Sequence, residues 1–201
     1  MIHIEQAAVE RLFANARSQN GWLDEPVSDA ELEAAYDIAK WGPTSMNTQP
    51  LRLLFLRSGA DKERLIPALS PGNVAKVQTA PVVALICYDA NFHAKLPEIF
   101  PHNPNARGMF DASQALTDAT AFRNGSLQAA YFMLALRAVG LDVGPMSGFD
   151  AAAVNAEFFA ETTWRVNFIC GIGHGDPAKT MARLPRLSFA DVTSVGSAHS
   201  Q

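Results

Sequence analysis

Apolar residues near the start of the chain recur at the spacing of one helical face. Within residues 4–18 they stand at Ala8, Leu12, Phe13 and Ala16. Side chains three or four positions apart lie on the same side of an α-helix, so this pattern predicts a first helix.

A second helix is predicted to begin after Ser28. Glu31 stands three residues later, the spacing of a capping box, in which each side chain satisfies a free backbone N–H of the other residue. The apolar positions that follow are Leu32, Ala35, Tyr36 and Ala39. We expect these side chains, Tyr36 included, to face the core, and we expect Gly42 and Pro43 to end the helix.

Three predominantly apolar runs predict buried strands. They are residues 51–57, 81–88 and 165–173. Runs of this length that are rich in valine, isoleucine and leucine are typical of strands. A short helix is predicted at residues 61–69, ended by Pro71 and Gly72.

A long helix is predicted over residues 110–140, with Gly140 as its left-handed stop. Asn124 and Gly125 predict a start or a kink within it. Its apolar face is expected to comprise Leu127, Ala130, Tyr131, Leu134 and Ala138.

The segments around this helix are less regular. Residues 91–106 contain three prolines, and an irregular stretch of that length is usually functional or mobile, so we expect it to cover a pocket. Residues 141–149 predict a loop, after which Asp150 caps a helix that runs to about Phe159. Because the strands are separated by helices, the order predicts an α+β or α/β sandwich. No linker divides the chain, which predicts a single domain over residues 1–201 with a tail at 187–201.

Composition and charge limit the function. Hydrophobic residues make up 48% of the chain, enough for a sizeable core, whereas charged residues are 18%, against about 25% in an average domain. Either a subunit interface covers additional apolar surface, or the chain is alanine-rich with few lysines. The net charge of −4 and the pI of about 5.7 argue against a nucleic-acid partner.

The sequence predicts a cytoplasmic protein. No signal peptide is visible, and no run reaches the ~20 apolar residues that a membrane span needs, so no membrane partner is expected. Cys87 and Cys170, the two cysteines, lie in strand-like runs and are expected to be buried thiols rather than a disulfide or metal pair.

Several motifs of protein-borne catalysis are incomplete. Tyr36 and Lys40 have the spacing of a short-chain dehydrogenase pair, but no glycine-rich nucleotide turn precedes them. Residues 171–175 follow a strand as a dinucleotide turn does, but Pro177 and a short tail replace the expected βα unit. Metal-ligand spacing is absent for all the histidines, which are His3, His93, His102, His174 and His199. No metal is therefore predicted, and a bound cofactor is expected to carry the chemistry.

Four dispersed polar segments could form the site of such a cofactor. They are residues 17–20, residues 43–50, the pair Asn73 and Lys76, and the pair Arg183 and Arg186. Their cations could converge on one phosphate while the polar loop at 43–50 meets a heterocycle.

These segments resemble the motifs of the FMN-dependent nitroreductase family. Residues 43–50, Pro-Thr-Ser-Met-Asn-Thr-Gln-Pro, resemble its P-[ST]-S-x-N-x-Q-P loop. Arg17 with Ser18 resembles its N-terminal phosphate motif, Asn73 with Lys76 its middle FMN contact, and residues 144–149 the loop beneath the isoalloxazine ring. The resemblance runs from about residue 8 to residue 190.

The resemblance implies a three-layer α+β sandwich, in which helices flank a central, mainly antiparallel sheet. It further implies a domain-exchanged homodimer with two FMN sites, each built from both subunits. NADPH or NADH would give hydride to flavin N5, and a second substrate would then take it in the same pocket.

The resemblance also implies a role for each matching residue. The phosphate and ribityl chain would be held by Arg17, Ser18, Asn20, Lys76 and one of the tail arginines, Arg183 or Arg186. The partner subunit would contribute Thr44, Ser45 and Asn47. The ring would meet Asn73 at its edge and the segment Pro145, Met146, Ser147 and Gly148 beneath it, with backbone N–H groups reaching N5. Asn20 replaces a basic residue usual in the family, which weakens the grip on phosphate.

Residues 41–45, 123–128 and 144–150 resemble more narrowly the branch that reduces malonic semialdehyde in pyrimidine degradation. Ser147 stands where many members carry glutamate, which favours an anionic substrate because two carboxylates repel in a site of low dielectric constant. The candidate cations for the substrate are Arg107, His102 and Arg52, of which Arg107 borders the pocket cover. The alternatives are a general nitro or quinone reductase, a flavin-binding protein without turnover, and a cofactor-free scaffold.

Overall fold

The computed structural model describes residues 3–196, so His199 lies outside the described residues. The helices are α1 (Gln6–Val9), α2 (Asp29–Ala39), α3 (Gly59–Leu65), α4 (Pro71–Thr79), α5 (Leu96–Ile99), α6 (Ala106–Asp111), α7 (Gln114–Ala138), α8 (Ala151–Phe158) and α9 (Phe189–Val192). The strands are β1 (Leu51–Leu56), β2 (Val82–Asp89), β3 (Asp142–Met146) and β4 (Trp164–Gly173). A π-helical turn, Glu10–Ala14, continues α1.

The four strands form one sheet in the order β1-β2-β4-β3, and every neighbouring pair is antiparallel. Strand β2 is central and buried on both faces. Its residues Val82, Ala84 and Ile86 pack with α2 and α7, whereas Val83 and Leu85 pack against the α3, α4 and α8 side. The predicted sandwich of helices around an antiparallel sheet is confirmed.

Several predictions from local sequence patterns are confirmed. The Ser28–Glu31 capping box is present, with both reciprocal hydrogen bonds, and Asp150 caps α8 through its carboxylate. The three predicted strands are confirmed to within two residues. Tyr36, however, is 45% exposed rather than buried, because the core-facing side of α2 is filled by Leu32 and two alanines.

Strand β3 was predicted as a loop, and that prediction is wrong. Gly144 and Pro145 are poor strand residues, but proline is tolerated in an edge strand, and β3 is at the edge of the sheet. The segment before Trp22 covers this edge: Ser18 bridges Val143, and Gln19 N–H donates to the Val143 carbonyl at 3.0 Å. A Cβ on Gly144 would lie 2.5 Å from the Gln19 carbonyl oxygen, so the close approach requires glycine.

Helix α7 differs from its prediction in two ways. Asn124 and Gly125 lie within one continuous helix and mark neither a start nor a kink. The predicted apolar face is mostly exposed, since Leu127 and Tyr131 are 46% and 43% accessible. The buried side of the helix includes Ala121, Asn124, Ala129, Phe132 and Leu136. Because apolar residues surround nearly the whole helix, periodicity could not select the face that meets the sheet.

Two further segments are more ordered than predicted. Pro71 begins α4 instead of only ending the helix before it, a position that proline tolerates because its missing N–H has no helical partner. Residues 91–106 contain the 3₁₀ turn Phe92–Lys95 and helix α5, and their apolar side chains form a small core with Phe110 and Ala121. The segment is therefore packed; its role as a pocket cover stays a prediction.

Both cysteines are buried in the sheet, as predicted, and neither is in a disulfide. Cys170 is paired with Ala84, so Cys87 lies three residues further along β2 and faces the opposite layer. Three residues span about 10 Å of strand, which exceeds the reach of a disulfide. Burial raises the pKa of each thiol to about 12.

We expect both thiols to be inert in the folded protein. At pH 8 the raised pKa lowers the thiolate fraction about a thousandfold relative to a free cysteine, and burial further restricts access. Ellman's reagent should therefore detect no thiol in the native protein and two per chain in guanidinium chloride. Rapid labelling of the native protein would contradict this placement of the cysteines.

Candidate active site

A cavity of about 490 Å³ is lined by four arginines. The full lining is Phe13, Ala16, Arg17, Ser18, Asn20, Arg137, Met181, Ala182, Arg183, Leu184 and Arg186. Among residues 3–196, no aspartate or glutamate lines this arginine cavity, although the chain as a whole carries a net charge of −4. Concentrated positive charge of this kind favours a phosphate or another multiply charged anion.

The N-terminal segment and the C-terminal tail are tied together at the arginine cavity. Arg183 Nη2 donates to the carbonyl oxygens of Ala14 and Ala16, at 2.5 and 3.2 Å. Arg17 donates to the Met181 carbonyl oxygen in return. Arg186 donates only to carbonyls of its own tail segment. Both predicted tail arginines thus lie at the cavity with Arg17, and Arg183 is the one bound to the N-terminal segment.

Arg137 completes the cavity and was missed in the sequence. Its Nη1 donates to the Leu12 carbonyl oxygen at 3.1 Å, and burial lowers the pKa of the guanidinium, an effect that Asp142 opposes. A partly desolvated cation attracts an anion more strongly than a hydrated one. Its position in the sequence did not mark Arg137 as a ligand-binding residue, because a cation near the C-terminus of a long helix is ordinarily explained by the helix dipole.

A second cavity, of about 640 Å³, lies at the other end of β3. This strand-end cavity is lined by Phe122, Met133, Pro145, Met146, Ser147, Asn167 and Phe168. Ser147, just after the end of β3, is four positions beyond Val143, which bridges Ser18, a distance of roughly 13 Å. One elongated ligand could therefore place an anionic end among the arginines and a flat apolar end at the strand-end cavity.

The segment after β3 is packed tightly against α4. Asn73 Nδ2 donates to the Gly148 carbonyl oxygen at 3.0 Å, and a Cβ on Gly148 would lie 2.9 Å from that nitrogen. Lys76, one turn further, accepts the Trp22 indole N–H at its carbonyl oxygen (3.3 Å). The structure thus brings Asn73 to Gly148 and Lys76 to the end of the N-terminal segment, but Lys76 does not line the arginine cavity.

Thr44, Ser45 and Asn47 lie elsewhere in the same chain. The Ser45 backbone N–H donates to Asn124 Oδ1 in the middle of α7, at 2.8 Å. Arg137 is thirteen residues further along α7, which corresponds to about 20 Å of helix. These three residues therefore do not join the arginine cavity of their own chain.

Comparison with known proteins identifies the fold. The Nitroreductase family profile matches residues 14–174, most of the chain. The chain belongs to the nitroreductase family. A provisionally named NADH dehydrogenase/NAD(P)H nitroreductase HadB of Ralstonia pickettii is 57% identical over 180 residues, which cover 89% of this chain and 92% of that protein. A similarly named Cupriavidus pinatubonensis protein is 53% identical over 183 residues, 90% and 93% of the two chains.

Solved structures share this nitroreductase fold at low sequence identity. A Bacillus subtilis nitroreductase superposes with a TM-score of 0.84 at 23% identity, covering 94% of this chain and 99% of that one. An Exiguobacterium sibiricum nitroreductase in complex with FMN also gives 0.84, at 20% identity, covering 96% and 99%. At such identities the similarity establishes the fold alone.

The three predicted substrate residues are not grouped at either cavity of this nitroreductase-family chain. Arg52 pairs with Asp89 at 2.8 Å and also donates to two backbone carbonyls. Arg107 pairs with Asp111 at 3.2 Å on α6, and His102 packs against Phe100 with ring centroids 3.9 Å apart. None of the three lines the strand-end cavity. Their substrate role stays a prediction.

Arg123, to which the sequence motifs assigned no role of its own, borders a groove that adjoins the strand-end cavity. Arg123 lines a groove of about 580 Å³ along the exposed side of α7, with Ala119, Phe122, Ser126, Leu127 and Ala130. Phe122 lines this α7 groove and the strand-end cavity alike. The side chain of Arg123 makes no hydrogen bond or ion pair with any residue in the range 3–196. A cation without a counterion in an apolar groove is a candidate contact for an anionic substrate.

A third cavity, of about 660 Å³, contains a buried lysine with a structural role. Lys62 is 9% exposed and donates to the carbonyl oxygen of Ala80, the residue that ends α4. A cation at the carbonyl end of a helix is stabilising, and burial lowers the pKa of this ammonium group.

Within residues 3–196 no group of three or more histidine, cysteine, aspartate or glutamate side chains could hold a metal ion. No described helix is long and apolar enough to cross a membrane.

Proposed function

We propose that the protein is an FMN-dependent oxidoreductase that uses NADPH or NADH to reduce a small acceptor. The observation that carries the proposal is the pairing of the arginine cavity with the strand-end cavity along β3. FMN has the matching shape, with a dianionic phosphate at one end and a flat ring system at the other. The names of relatives at 57% and 53% identity, which include NAD(P)H nitroreductase, support the same conclusion.

The proposed division of labour follows from position. Arg17, Ser18, Asn20, Arg137 and Arg183 would bind the phosphate and ribityl chain, because charge-assisted hydrogen bonds are the strongest that a protein offers to phosphate. The segment from Pro145 to Gly148 would support the ring, held in place by the Asn73 bond to Gly148. Bound FMN supplies hydride transfer between NAD(P)H and the acceptor; the protein supplies orientation and a site with little water.

A homodimer is part of the proposal. The α7 groove side of the helix exposes Phe122, Leu127 and Tyr131 at 53%, 46% and 43%. The described part of the C-terminal tail exposes six further large apolar residues, namely Met181, Leu184, Leu187, Phe189, Val192 and Val195. Exposed apolar surfaces of this kind mark an interface, and a second copy of the chain can bury the same face in a two-fold arrangement. The partner would then contribute Thr44, Ser45 and Asn47, which are distant from the arginine cavity of their own chain.

An anionic acceptor such as malonic semialdehyde is the specific proposal for the second substrate. The lining of the strand-end cavity contains Ser147 and Asn167 but no carboxylate that would repel an anion. Arg123 is free to bind the carboxylate of the acceptor, whereas Arg107 and Arg52 are already paired. A general nitro or quinone reductase is the alternative within the same chemistry.

We expect Arg123→Ala to raise KM for malonic semialdehyde about tenfold or more, the cost of one charge-assisted hydrogen bond. KM for a neutral quinone should change less than about twofold, because a neutral substrate has no carboxylate for Arg123 to bind. The control is Arg107→Ala, which removes the same charge from α6. If Arg107→Ala produces the selective increase instead, the carboxylate contact lies on α6 and Arg123 has no such role.

The proposed function is tested with the purified protein. FMN binding should give a yellow protein, and NADPH or NADH should bleach it under nitrogen. Addition of malonic semialdehyde, a nitroaromatic or a quinone should then restore the colour at rates that rank the acceptors. A yellow protein that neither nucleotide bleaches would be a flavin-binding protein without turnover, and a protein that ignores added FMN would overturn the proposal.

A further inference from the structure

Two amide side chains on α7 hold the loop of residues 44–49. Asn124 Oδ1 accepts the Ser45 N–H at 2.8 Å, and Gln128 Oε1 accepts the Leu51 N–H at 2.9 Å. Residues four positions apart lie one above the other on a helix, so both amides face the same side. The loop is therefore bound to α7 near its beginning and just after its end.

Both amides are buried, since Asn124 is 2% exposed and Gln128 is 6% exposed. Asn124 Nδ2 also donates to the Thr120 carbonyl oxygen at 2.9 Å, which fixes the direction in which Oδ1 points. Burying a polar side chain is unfavourable unless its hydrogen bonds are made, and here the bonds are made to the loop. A hydrophobic side chain at position 124 or 128 would fill the same space but could not accept these hydrogen bonds. We therefore connect the two buried amides with the conformation of the loop.

The loop that they hold has a strained backbone. Met46, Asn47 and Gln49 have φ values of 52°, 52° and 42°, in the left-handed region that residues with a side chain disfavour. Thr48 is 1% exposed, and its hydroxyl has no hydrogen-bond partner among residues 3–196. A conformation of this kind persists only where the surrounding structure imposes it, and such segments occur mainly at functional sites.

We propose that Asn124 and Gln128 are positioning residues of the cofactor site. They keep loop 44–49 in the conformation that presents Thr44, Ser45 and Asn47. The inference rests on the proposed function, in which those three residues approach the FMN of the partner subunit. A loop that is ordered in advance loses little conformational entropy when the ligand binds, so the two amides raise FMN affinity without touching FMN.

The test removes the acceptor oxygen at each position. Asn124→Leu and Gln128→Met do so with little change in volume. The matched control is Thr117→Val on the same helix. Thr117 is 2% exposed, and its hydroxyl donates to the Phe110 carbonyl oxygen at 2.9 Å, so the control loses a buried hydrogen bond that does not reach the loop.

Two measurements are compared across these variants: hydrogen exchange of residues 45–51 without FMN, and the Kd for FMN by fluorescence titration. Asn124→Leu and Gln128→Met should speed exchange about tenfold and raise Kd about tenfold, the order of one lost hydrogen bond. Thr117→Val should lower Tm while leaving both readouts unchanged.

Equal effects in Thr117→Val, or unchanged exchange and Kd in the Leu and Met variants, overturn the inference. A wild-type protein that binds no FMN overturns the proposed function instead. In that case the exchange rates, which need no cofactor, decide whether the two amides hold the loop.

Discussion

Leu127→Asp should leave the protein monomeric at concentrations at which the wild type forms the proposed homodimer. The substitution places a carboxylate in the middle of the α7 groove, and the two-fold symmetry of the proposed dimer would place it there twice. Moving an unpaired charge out of water into an apolar interface costs several kcal/mol per ion, so the dimer Kd should rise by about a thousandfold or more. Light scattering after size exclusion measures the change in mass directly.

Leu23→Asp is the matched control for this experiment. Leu23 is 39% exposed, close to the 46% of Leu127, but it lies in the loop between the arginine cavity and α2 rather than on α7. The control should remain dimeric with an unchanged Tm. A wild-type protein that is monomeric at micromolar concentration, or a Leu127→Asp variant that stays dimeric, would remove α7 from the proposed interface. Loss of FMN from the monomeric variant would further support a site shared by two subunits.

The double substitution Arg17→Ala and Arg183→Ala should weaken FMN binding by about two to four orders of magnitude. Each hydrogen bond from a charged group contributes ~1.5–3 kcal/mol, and the two arginines enter the cavity from opposite ends of the chain. The single substitutions should each account for about tenfold or more. Kd for FMN is measured by fluorescence titration at low and high salt, and wild-type affinity should fall with ionic strength because phosphate recognition is electrostatic.

Riboflavin provides the decisive comparison, because it has the same ring and ribityl chain without the phosphate. Its affinity should be nearly the same in the wild type and in the double variant. Arg64→Ala removes one positive charge from a surface pair with Glu157 and should affect neither ligand. If FMN and riboflavin lose affinity equally, the arginines stabilise the tail rather than bind phosphate. Arg186→Ala, measured alongside, separates the two tail arginines.

Local patterns in the sequence were sufficient for much of the fold. A capping box depends on two residues three positions apart, and β2 is buried along nearly its whole length, so its sequence is apolar from Val82 to Tyr88. Strand β3 could not be predicted in this way, because Gly144 is required by the approach of Gln19 rather than by any strand preference. Sequence periodicity contains no information on that contact.

The candidate site was predictable only in part, for a similar reason. Arg17 and Arg183 were singled out as cations, but their meeting depends on hydrogen bonds between segments at opposite ends of the chain. Arg137 matched no motif, and Arg123 lay in the matched segment 123–128 without a role of its own, since arginines on a helix are common. The exposed side of α7 was predicted to be buried. The spacing of its apolar residues correctly identified an apolar face, but it could not show that this face points away from the core of its own chain.

The depth at which Cys87 and Cys170 lie in the sheet has a practical consequence. A cysteine introduced on the surface, for instance by Glu161→Cys, would be the sole thiol that a maleimide reaches in the folded protein. Spin labels attached there would report the separation of equivalent points on two associated chains. That distance would be measured by pulsed electron resonance in solution, with both native cysteines left in place.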